Sequence, residues 1–171
     1  MNFYRLRNRV FALLFSRFPR LTERWLEGQQ LDDYGPPPWT PLQKPLATCT
    51  VALVTTGGVH LKTDEPFNML DKEGDATFRV IPHETALDQL SITHDYYDHR
   101  DADRDPNIVL PMIRLDELVH EGVVGKAAPF HYSFMGHIDG RHIQELLTAT
   151  APEVTRRLKR EQVDAVVLTP A

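Results

Sequence analysis

Cysteine is nearly absent from this sequence, because Cys49 is the one thiol among 171 residues. One cysteine cannot form an internal disulfide, and it cannot supply a zinc site built from several thiolates. The glycine-rich phosphate loops of the GxGxxG and GxxxxGKS/T types are missing, and so is the GxSxG turn of serine hydrolases. The sequence therefore offers none of the common nucleotide-binding or hydrolase signatures.

Long hydrophobic runs are also lacking. The longest run near the N-terminus covers residues 10–15, which is too short for a signal peptide or a membrane span. Together with the single cysteine, this predicts a cytoplasmic protein with no membrane span. The net charge of −5 argues against a dedicated nucleic-acid binder.

Positive charge is concentrated in the first part of the chain. Residues 1–30 carry six Arg against two Glu, whereas residues 31–110 carry six Lys or Arg against fourteen Asp or Glu. Apolar residues at helical spacing predict a first helix that ends at Pro19, and a short second helix before Gly28. Such basic and apolar faces can bind a membrane surface or a partner helix. We favour the alternative that the first helix packs on the protein's own core.

Five prolines between residues 36 and 45 predict an extended strap. We expect it to lie over the domain with Trp39 buried, and recognition of the prolines by a partner is the alternative. The chain is thus predicted to have two parts. Residues 1–45 form basic helices and a proline-rich linker, and residues 46–171 form an α/β domain.

The second part alternates strand and helix patterns. Residues 49–56 are apolar and β-branched on both faces, which is typical of a central parallel strand. Further strand patterns at residues 78–82, 123–128 and 164–169 are separated by helical patterns. This order predicts an α/β fold in which helices flank a mostly parallel sheet, a Rossmann-like three-layer arrangement.

A polar run at residues 91–107 is the strongest candidate for a site. It holds five Asp, two His and two Arg between two apolar runs, and no helical or strand period covers it. A solvated acidic loop is the simpler interpretation. We favour a functional loop, because predicted core strands hold both of its ends.

Two other segments follow apolar strands. Residues 55–60 contain paired glycines after the first strand, and residues 130–137 form a polar and aromatic stretch. Ligands bind at the carboxyl ends of strands in open α/β sheets, so we expect all three segments to meet in one cleft. The predicted substrate-binding residues are Thr56, Gly57, Gly58, His60, His94, His99, Asp101, Asp103, His131 and Ser133.

A metal site is not the preferred interpretation of these residues. The run that starts at Asp101 resembles a calcium loop, but Pro106 stands where an EF-hand has glycine and Met112 stands where it has glutamate. We predict that the loop binds substrate, since its His and Asp side chains can hold an ammonium group or exchange protons. Zinc or manganese held by His94, His99 and aspartates is the alternative. Cys49 opens the first strand, away from the expected cleft, and is predicted not to be the catalytic thiol.

Four ordered motifs resemble one known family: VALVTTGGVH at residues 51–60, the loop 94–107, HYSFMG at 131–136 and DAVVLTP at 164–170. Together they are similar to the selenoprotein B family of glycine, sarcosine, betaine and D-proline reductases, from about residue 41 to the last residue. The resemblance implies an oxidoreductase subunit that reductively cleaves a C–N bond with a selenocysteine or cysteine nucleophile, with a disulfide as acceptor.

The resemblance also implies partners. These are other subunits of a reductase complex, one of which can carry a pyruvoyl group, and a thiol- or thioredoxin-type electron donor. A small amino acid or amine is the implied substrate, and homo-oligomer formation stays open. The residues of the chain themselves imply no bound cofactor.

In that family, the strand that matches residues 164–169 leads into the segment that bears the nucleophile. We therefore expect the nucleophile just after Ala171, and hypothesise that the chain ends where a selenocysteine UGA codon was read as a stop. Such a fragment alone would be inactive. The alternative is a non-catalytic or metal-binding α/β protein that keeps the family pocket without its nucleophile.

Overall fold

The computed structural model describes residues 3–27, 35–36 and 40–170. The helices are α1 Phe3–Arg17, α2 Pro19–Glu27, α3 Met112–His120, α4 Arg141–Glu145 and α5 Ala151–Arg160, with a π-helical turn Leu146–Thr150 between the last two. The strands are β1 Thr50–Thr55, β2 Val59–Leu61, β3 Arg79–Pro82, β4 Leu90–Ile92, β5 Lys126–Ala127, β6 Phe130–Ser133 and β7 Ala165–Thr169. Single 3-10 turns lie at Leu46–Thr48, Leu87–Gln89 and Pro106–Ile108.

The central strand of the main sheet is β1. It pairs in parallel with β7 on one side, and with β5 and β6 on the other. The edge strand β3 runs antiparallel to β6, with Ile81 opposite His131. Strands β2 and β4 leave this sheet and form a separate antiparallel pair.

The α/β class is therefore confirmed, but the Rossmann-like, mostly parallel sheet is not. The sheet is mixed, because the chain returns through β3 in the opposite direction instead of through a crossover helix. The residues between β1 and β3 form an irregular excursion that includes β2, so this part of the chain has no covering helix to impose a parallel connection.

Helices cover both faces of β1. On one face, Val51 and Leu53 pack in a buried cluster with Met112 and Leu115 of α3. On the other face, Val54 of β1 packs in a second cluster with Tyr132 of β6 and with Val154 and Leu158 of α5. The apolar character of β1 on both faces is explained by this double burial.

The position of Cys49 agrees with a structural thiol. Its side chain is fully buried immediately before β1, and its Sγ lies 3.4 Å from the carbonyl oxygen of Pro45. That it is not catalytic stays a prediction.

The N-terminal helices differ from what we expected. Among the described side chains of α1, Ala12 is the buried one, whereas the large apolar side chains of Leu6, Val10 and Leu14 are all exposed. The prediction that α1 packs its apolar face on the core is wrong. None of the described helices is long and apolar enough to cross a membrane.

Parts of the predicted strap lie outside the described residues. Trp39 and Gly28 are among these, so the predicted burial of Trp39 and the predicted helix stop remain predictions. Residues 41–45 are described and are exposed. The boundary between residues 45 and 46 also stays a prediction.

Candidate functional site

Backbone hydrogen bonds join the three predicted segments at the carboxyl end of β1. The amide of Thr93 donates to the carbonyl of Gly58 at 2.9 Å, and the amide of Gly58 donates to the carbonyl of Phe134 at 2.9 Å. The amide of Phe134 in turn donates to the carbonyl of Thr55 at 2.8 Å. The turn at residues 55–58, which we call the glycine turn, thus lies between the polar run and the stretch after β6.

The carboxyl end of β7 reaches the same place. The carbonyl of Thr169 accepts hydrogen bonds from the amide of Thr56 and from Oγ1 of Thr55, both at 3.1 Å. The hydroxyl of Thr169 donates to the carbonyl of Val109 at 2.7 Å. Two parallel neighbours, β1 and β7, therefore end side by side at the glycine turn.

The two glycines of this turn are required by close packing. A Cβ at Gly58 would lie 2.5 Å from the carbonyl oxygen of Thr93, and its φ of +69° favours glycine. A Cβ at Gly57 would lie 2.9 Å from Cβ of Val109. The amide of Gly57 donates to Oγ1 of Thr55, so the amides of residues 56–58 all have partners within the protein. Packing alone accounts for these glycines.

Two of the predicted histidines use their rings in hydrogen bonds that hold parts of the protein together. Nδ1 of His94 accepts from the amide of Tyr96 at 3.0 Å, and its ring also has a backbone hydrogen bond with Met135. Burial, together with the nearby histidine side chains, lowers the pKa of His94 to about 4. The ring of His60 lies between the carbonyl of Leu61 at 2.7 Å and the hydroxyl of Thr93 at 2.9 Å. Both rings are buried and have both nitrogens in use.

His131 lies in the middle of the sheet rather than beside His94. Its Nδ1 accepts from the amide of Leu53 at 3.0 Å, so a neutral ring carries its proton on Nε2. That Nε2 lies 2.9 Å from Nδ1 of His83, and Nε2 of His83 lies 2.8 Å from a carboxylate oxygen of Asp116. In this row of hydrogen bonds, the preceding group determines which nitrogen of each histidine ring carries the proton. Burial, with His83 as a further cause, lowers the pKa of His131 to about 4.

Sequence reasoning missed His83 and Asp116. They lie 33 residues apart, on the turn after β3 and on α3, and no motif joins them. The signal was a polar histidine directly after a strand pattern, at Pro82-His83. Ser133, which was predicted, is fully buried, and its hydroxyl has only a long 3.5 Å contact to the carbonyl of Phe134.

Asp95 is a third residue that we missed, although its neighbour His94 was predicted. Its side chain is 1% exposed and pairs with Nε of Arg5 at 2.5 Å and Nε of Arg9 at 2.7 Å. Burial opposes ionisation, but hydrogen bonds from both arginines hold the pKa of Asp95 below its usual value. No local pattern in the sequence links residues that are 86 and 90 positions apart.

The remaining predicted residues lie on the exposed part of the polar run, residues 98–105, which we call the outer loop. His99 pairs with Asp103 through Nδ1 at 2.8 Å, and Asp101 pairs with Arg104. A pocket of about 240 Å³ lies between α1 and this loop. It is lined by Arg9, Ala12, Leu13, Tyr97, Asp98, His99 and Arg100.

A larger pocket of about 550 Å³ borders the outer loop beside β4. Two cationic side chains, Lys62 and Arg104, and two carboxylates, Asp88 and Asp103, contribute to its lining. Such a mixture suits a small zwitterion. Within the described part of the chain, no group of three or more His, Cys, Asp or Glu side chains is arranged to hold a metal ion.

Comparison with known proteins gives consistent matches. Residues 34–171 match the glycine/sarcosine/betaine reductase selenoprotein B family. The chain is 42% identical over 134 residues to a D-proline reductase subunit gamma from Acetoanaerobium sticklandii, which is 78% of this chain and 53% of that one. It is 32% identical over 131 residues to a betaine reductase complex component B subunit beta from Peptoclostridium acidaminophilum, which is 74% of this chain and 29% of that one.

A third relative is the glycine reductase complex component B subunit gamma from Symbiobacterium thermophilum. It is 33% identical over 135 residues, which is 77% of this chain and 30% of that one. The chain thus spans about half the length of the first relative and under a third of the other two. No solved structure matches the chain.

Proposed function

Because the chain belongs to the glycine/sarcosine/betaine reductase selenoprotein B family, we propose that it is part of a reductase subunit that cleaves a C–N bond of an amino acid or amine. Glycine, sarcosine, betaine and D-proline are the substrates to test, since relatives are named for them. In the overall reaction, a dithiol gives two electrons and two protons. The C–N bond breaks, new C–H and N–H bonds form, and the dithiol becomes a disulfide.

The observation that carries this proposal is the position of Thr169. It ends β7 and bonds to Thr55 and Thr56 of the glycine turn, so β7 ends in the region where the three predicted segments meet. We propose that a selenocysteine or cysteine nucleophile follows Ala171 at this point. β7 pairs with β1 along its length, so a residue that follows its carboxyl end would be held beside the glycine turn, and this restricts its direction of attack.

The substrate would be held beside the outer loop. All four candidate substrates carry a carboxylate and a nitrogen centre, and the pocket beside β4 offers Lys62 and Arg104 for the first and Asp88 and Asp103 for the second. A cationic side chain fixes the carboxylate end, and the aspartates attract the ammonium end. This arrangement would hold a substrate by both of its charged ends.

Other subunits complete the proposal. Several relatives are named as components of reductase complexes, so we propose that this chain also assembles with further subunits. One of these would supply a pyruvoyl group, which would hold a substrate that has a primary or secondary amine but not betaine, whose nitrogen is quaternary. A thiol- or thioredoxin-type donor in the cytoplasm returns the resulting disulfide to the reduced state.

The test uses the whole gene product, including any residues encoded after Ala171, together with its neighbouring subunits. Substrate-dependent oxidation of dithiothreitol is measured with glycine, sarcosine, betaine and D-proline. We expect turnover with at least one of them, and loss of turnover when the residue proposed as nucleophile becomes Ala. Cys49→Ala is the matched control and should keep its activity.

Two outcomes contradict the proposal. One is a complete assembly that turns over none of the four substrates. The other is a Cys49→Ala protein that has lost activity but keeps its circular dichroism spectrum, because Cys49 would then be the nucleophile. Reading the codon after that of Ala171 gives an independent check, since UAA or UAG there is incompatible with a following selenocysteine.

A further inference from the structure

The N-terminal helix α1 has an unusual orientation. Its apolar side chains Leu6, Val10 and Leu14 follow one another at four-residue spacing and form a continuous stripe. They are 41%, 47% and 40% exposed. Amphipathic helices on soluble domains normally turn such a stripe to the core. Here the stripe faces away from the protein.

Ion pairs explain this orientation. Arg5 and Arg9 lie one turn apart on the opposite side of α1, and both bond to the buried carboxylate of Asp95. Ala12, which continues the same side, is 7% exposed. The polar side of α1 is therefore held on the body, and this contact fixes the apolar stripe in the outward direction.

Further apolar side chains widen the exposed surface. They continue from α1 into α2, and the most exposed of them are Phe3, Phe11, Phe18 and Leu21. We call the two helices together, residues 3–27, the arm. An exposed apolar surface of this kind indicates a binding partner.

The charge of the arm indicates which partner fits. The arm contains six arginines and only two glutamates, and α1 itself contains no Asp or Glu. Arg17, Arg20 and Arg24 are exposed beside the apolar surface. Residues 31–171 carry thirteen Lys or Arg against twenty-two Asp or Glu, so the arm is the cationic end of an acidic protein.

We propose that the arm is a membrane-surface anchor that lies flat on an anionic lipid leaflet. Apolar side chains enter the boundary between headgroups and acyl chains, and arginines bind lipid phosphates while their stems lie along the apolar surface. The ion pairs of Arg5 and Arg9 with Asp95 hold α1 with its apolar stripe outward, and membrane binding requires this orientation. A second copy of the arm fits less well, because it would bring the same positive charge to the contact.

The extent of the family match supports a separate role for the arm. The match begins at residue 34, so the arm lies outside the region shared with the reductase subunits. The shared fold alone therefore gives no reason for its apolar surface. The inference does not depend on which substrate the reductase cleaves.

The experiment is co-sedimentation of the full chain with vesicles. One set contains phosphatidylcholine alone, and the other contains phosphatidylcholine with phosphatidylglycerol. Each arginine near an anionic surface contributes about 1 kcal/mol, or roughly fivefold in affinity, so we expect binding at least about tenfold tighter to the anionic set. High salt should weaken the binding.

Variants separate the apolar and the cationic contributions. Val10→Glu with Leu14→Glu should abolish the binding, and Arg17→Glu with Arg20→Glu should reduce it by about tenfold or more. Leu70→Glu is the matched control, because Leu70 is 67% exposed but lies on the body, and it should bind like the unaltered chain. Circular dichroism checks that each variant is folded.

Three outcomes would overturn the proposal. Equal binding to both vesicle sets would remove the role of charge, and unchanged binding by the Val10 and Leu14 variant would remove the role of the apolar stripe. The third is absence of vesicle binding, together with a dimer in light scattering that this variant dissociates. In that case the stripe is a contact between copies of the chain.

Discussion

The polar run contains two neighbouring segments that look alike in sequence and differ in structure. In the inner segment, residues 94–97, Asp95 and His94 are buried and hydrogen-bond to distant parts of the chain. Tyr97 also belongs to it, since its hydroxyl donates to the carbonyl of Gly57 at 3.0 Å. In the outer loop, each described ion pair joins residues two to four positions apart.

This difference separates a structural role from a binding role. Polar groups that are buried must have partners, and the inner segment uses its groups to hold the arm, the glycine turn and the stretch after β6 together. Each ion pair of the outer loop has at least one exposed partner and is worth little, so a ligand can replace it at small cost. A substrate site is therefore better sought in the outer loop.

The largest expected effect is a loss of stability at acidic pH from the buried histidines. His94 and His131 have pKa values of about 4 in the folded protein, against about 6.5 in an unfolded chain. Because the unfolded state binds more protons between these values, stability is full above about pH 6.5 and falls as the pH drops to 4. At about pH 5, each histidine costs about 2 kcal/mol, so the two together cost about 4 kcal/mol.

Urea unfolding between neutral pH and about pH 5 measures this effect. The double variant His94→Gln and His131→Gln should be less stable at neutral pH but should lose less on acidification than the unaltered protein. A stability that stays level or rises towards pH 5 would show that these rings are not held neutral by burial.

The next effect tests how tightly the inner segment packs on the glycine turn. In Gly58→Ala, the new Cβ meets the carbonyl of Thr93 and the backbone has a positive φ. These two penalties together should destabilise the protein by about 3 kcal/mol in urea unfolding. Gly122→Ala is the matched control. Its φ is +73° but nothing lies within 4 Å of the added Cβ, so about 1 kcal/mol is expected. Equal losses at both positions would rule out the close contact.

A third prediction compares the stability that is lost when one aspartate is changed in the inner segment and one in the outer loop. Asp95→Asn removes the charge that Arg5 and Arg9 share, and should cost about 2 kcal/mol, a value reduced because both arginines are partly exposed. Asp101→Asn removes an ion pair in which both side chains are 81% exposed, and should cost less than about 0.5 kcal/mol. Equal unfolding free energies for the two variants would contradict the distinction between the segments.

The sequence allowed the elements with strong local patterns to be predicted. The apolar run of β1 and the helical spacing of α1, α3 and α5 are visible within a few residues, and the structure has these elements where they were expected. The reversed direction of β3 was not predictable. It depends on which strand Ile81 pairs with, and a strand pattern carries no information about direction.

The candidate site was predictable to the level of segments but not of atoms. The rule that loops follow strand ends identified three segments that are joined by hydrogen bonds at one edge of the sheet. Whether a histidine in such a segment is free depends on backbone groups far away in sequence, such as the carbonyl of Met135 for His94. The outward stripe of α1 was missed for the same reason, since Asp95 is 90 residues from Arg5.

The smallest expected effect on stability is also the most direct test of the site. His99 lies in the outer loop and pairs with Asp103, which lines the pocket beside β4 where we place the substrate. His99→Gln should change the unfolding free energy by less than about 0.5 kcal/mol. If the pocket beside β4 binds substrate, the same change should raise KM in the assembled reductase by up to about tenfold, because Asp103 loses the hydrogen bond that positions it in that pocket. His120→Gln, at an exposed position at the end of α3, is the control and should leave both quantities unchanged. An unchanged KM in the His99 variant would remove this histidine from the site, while a large loss of stability would place it with the structural groups of the inner segment.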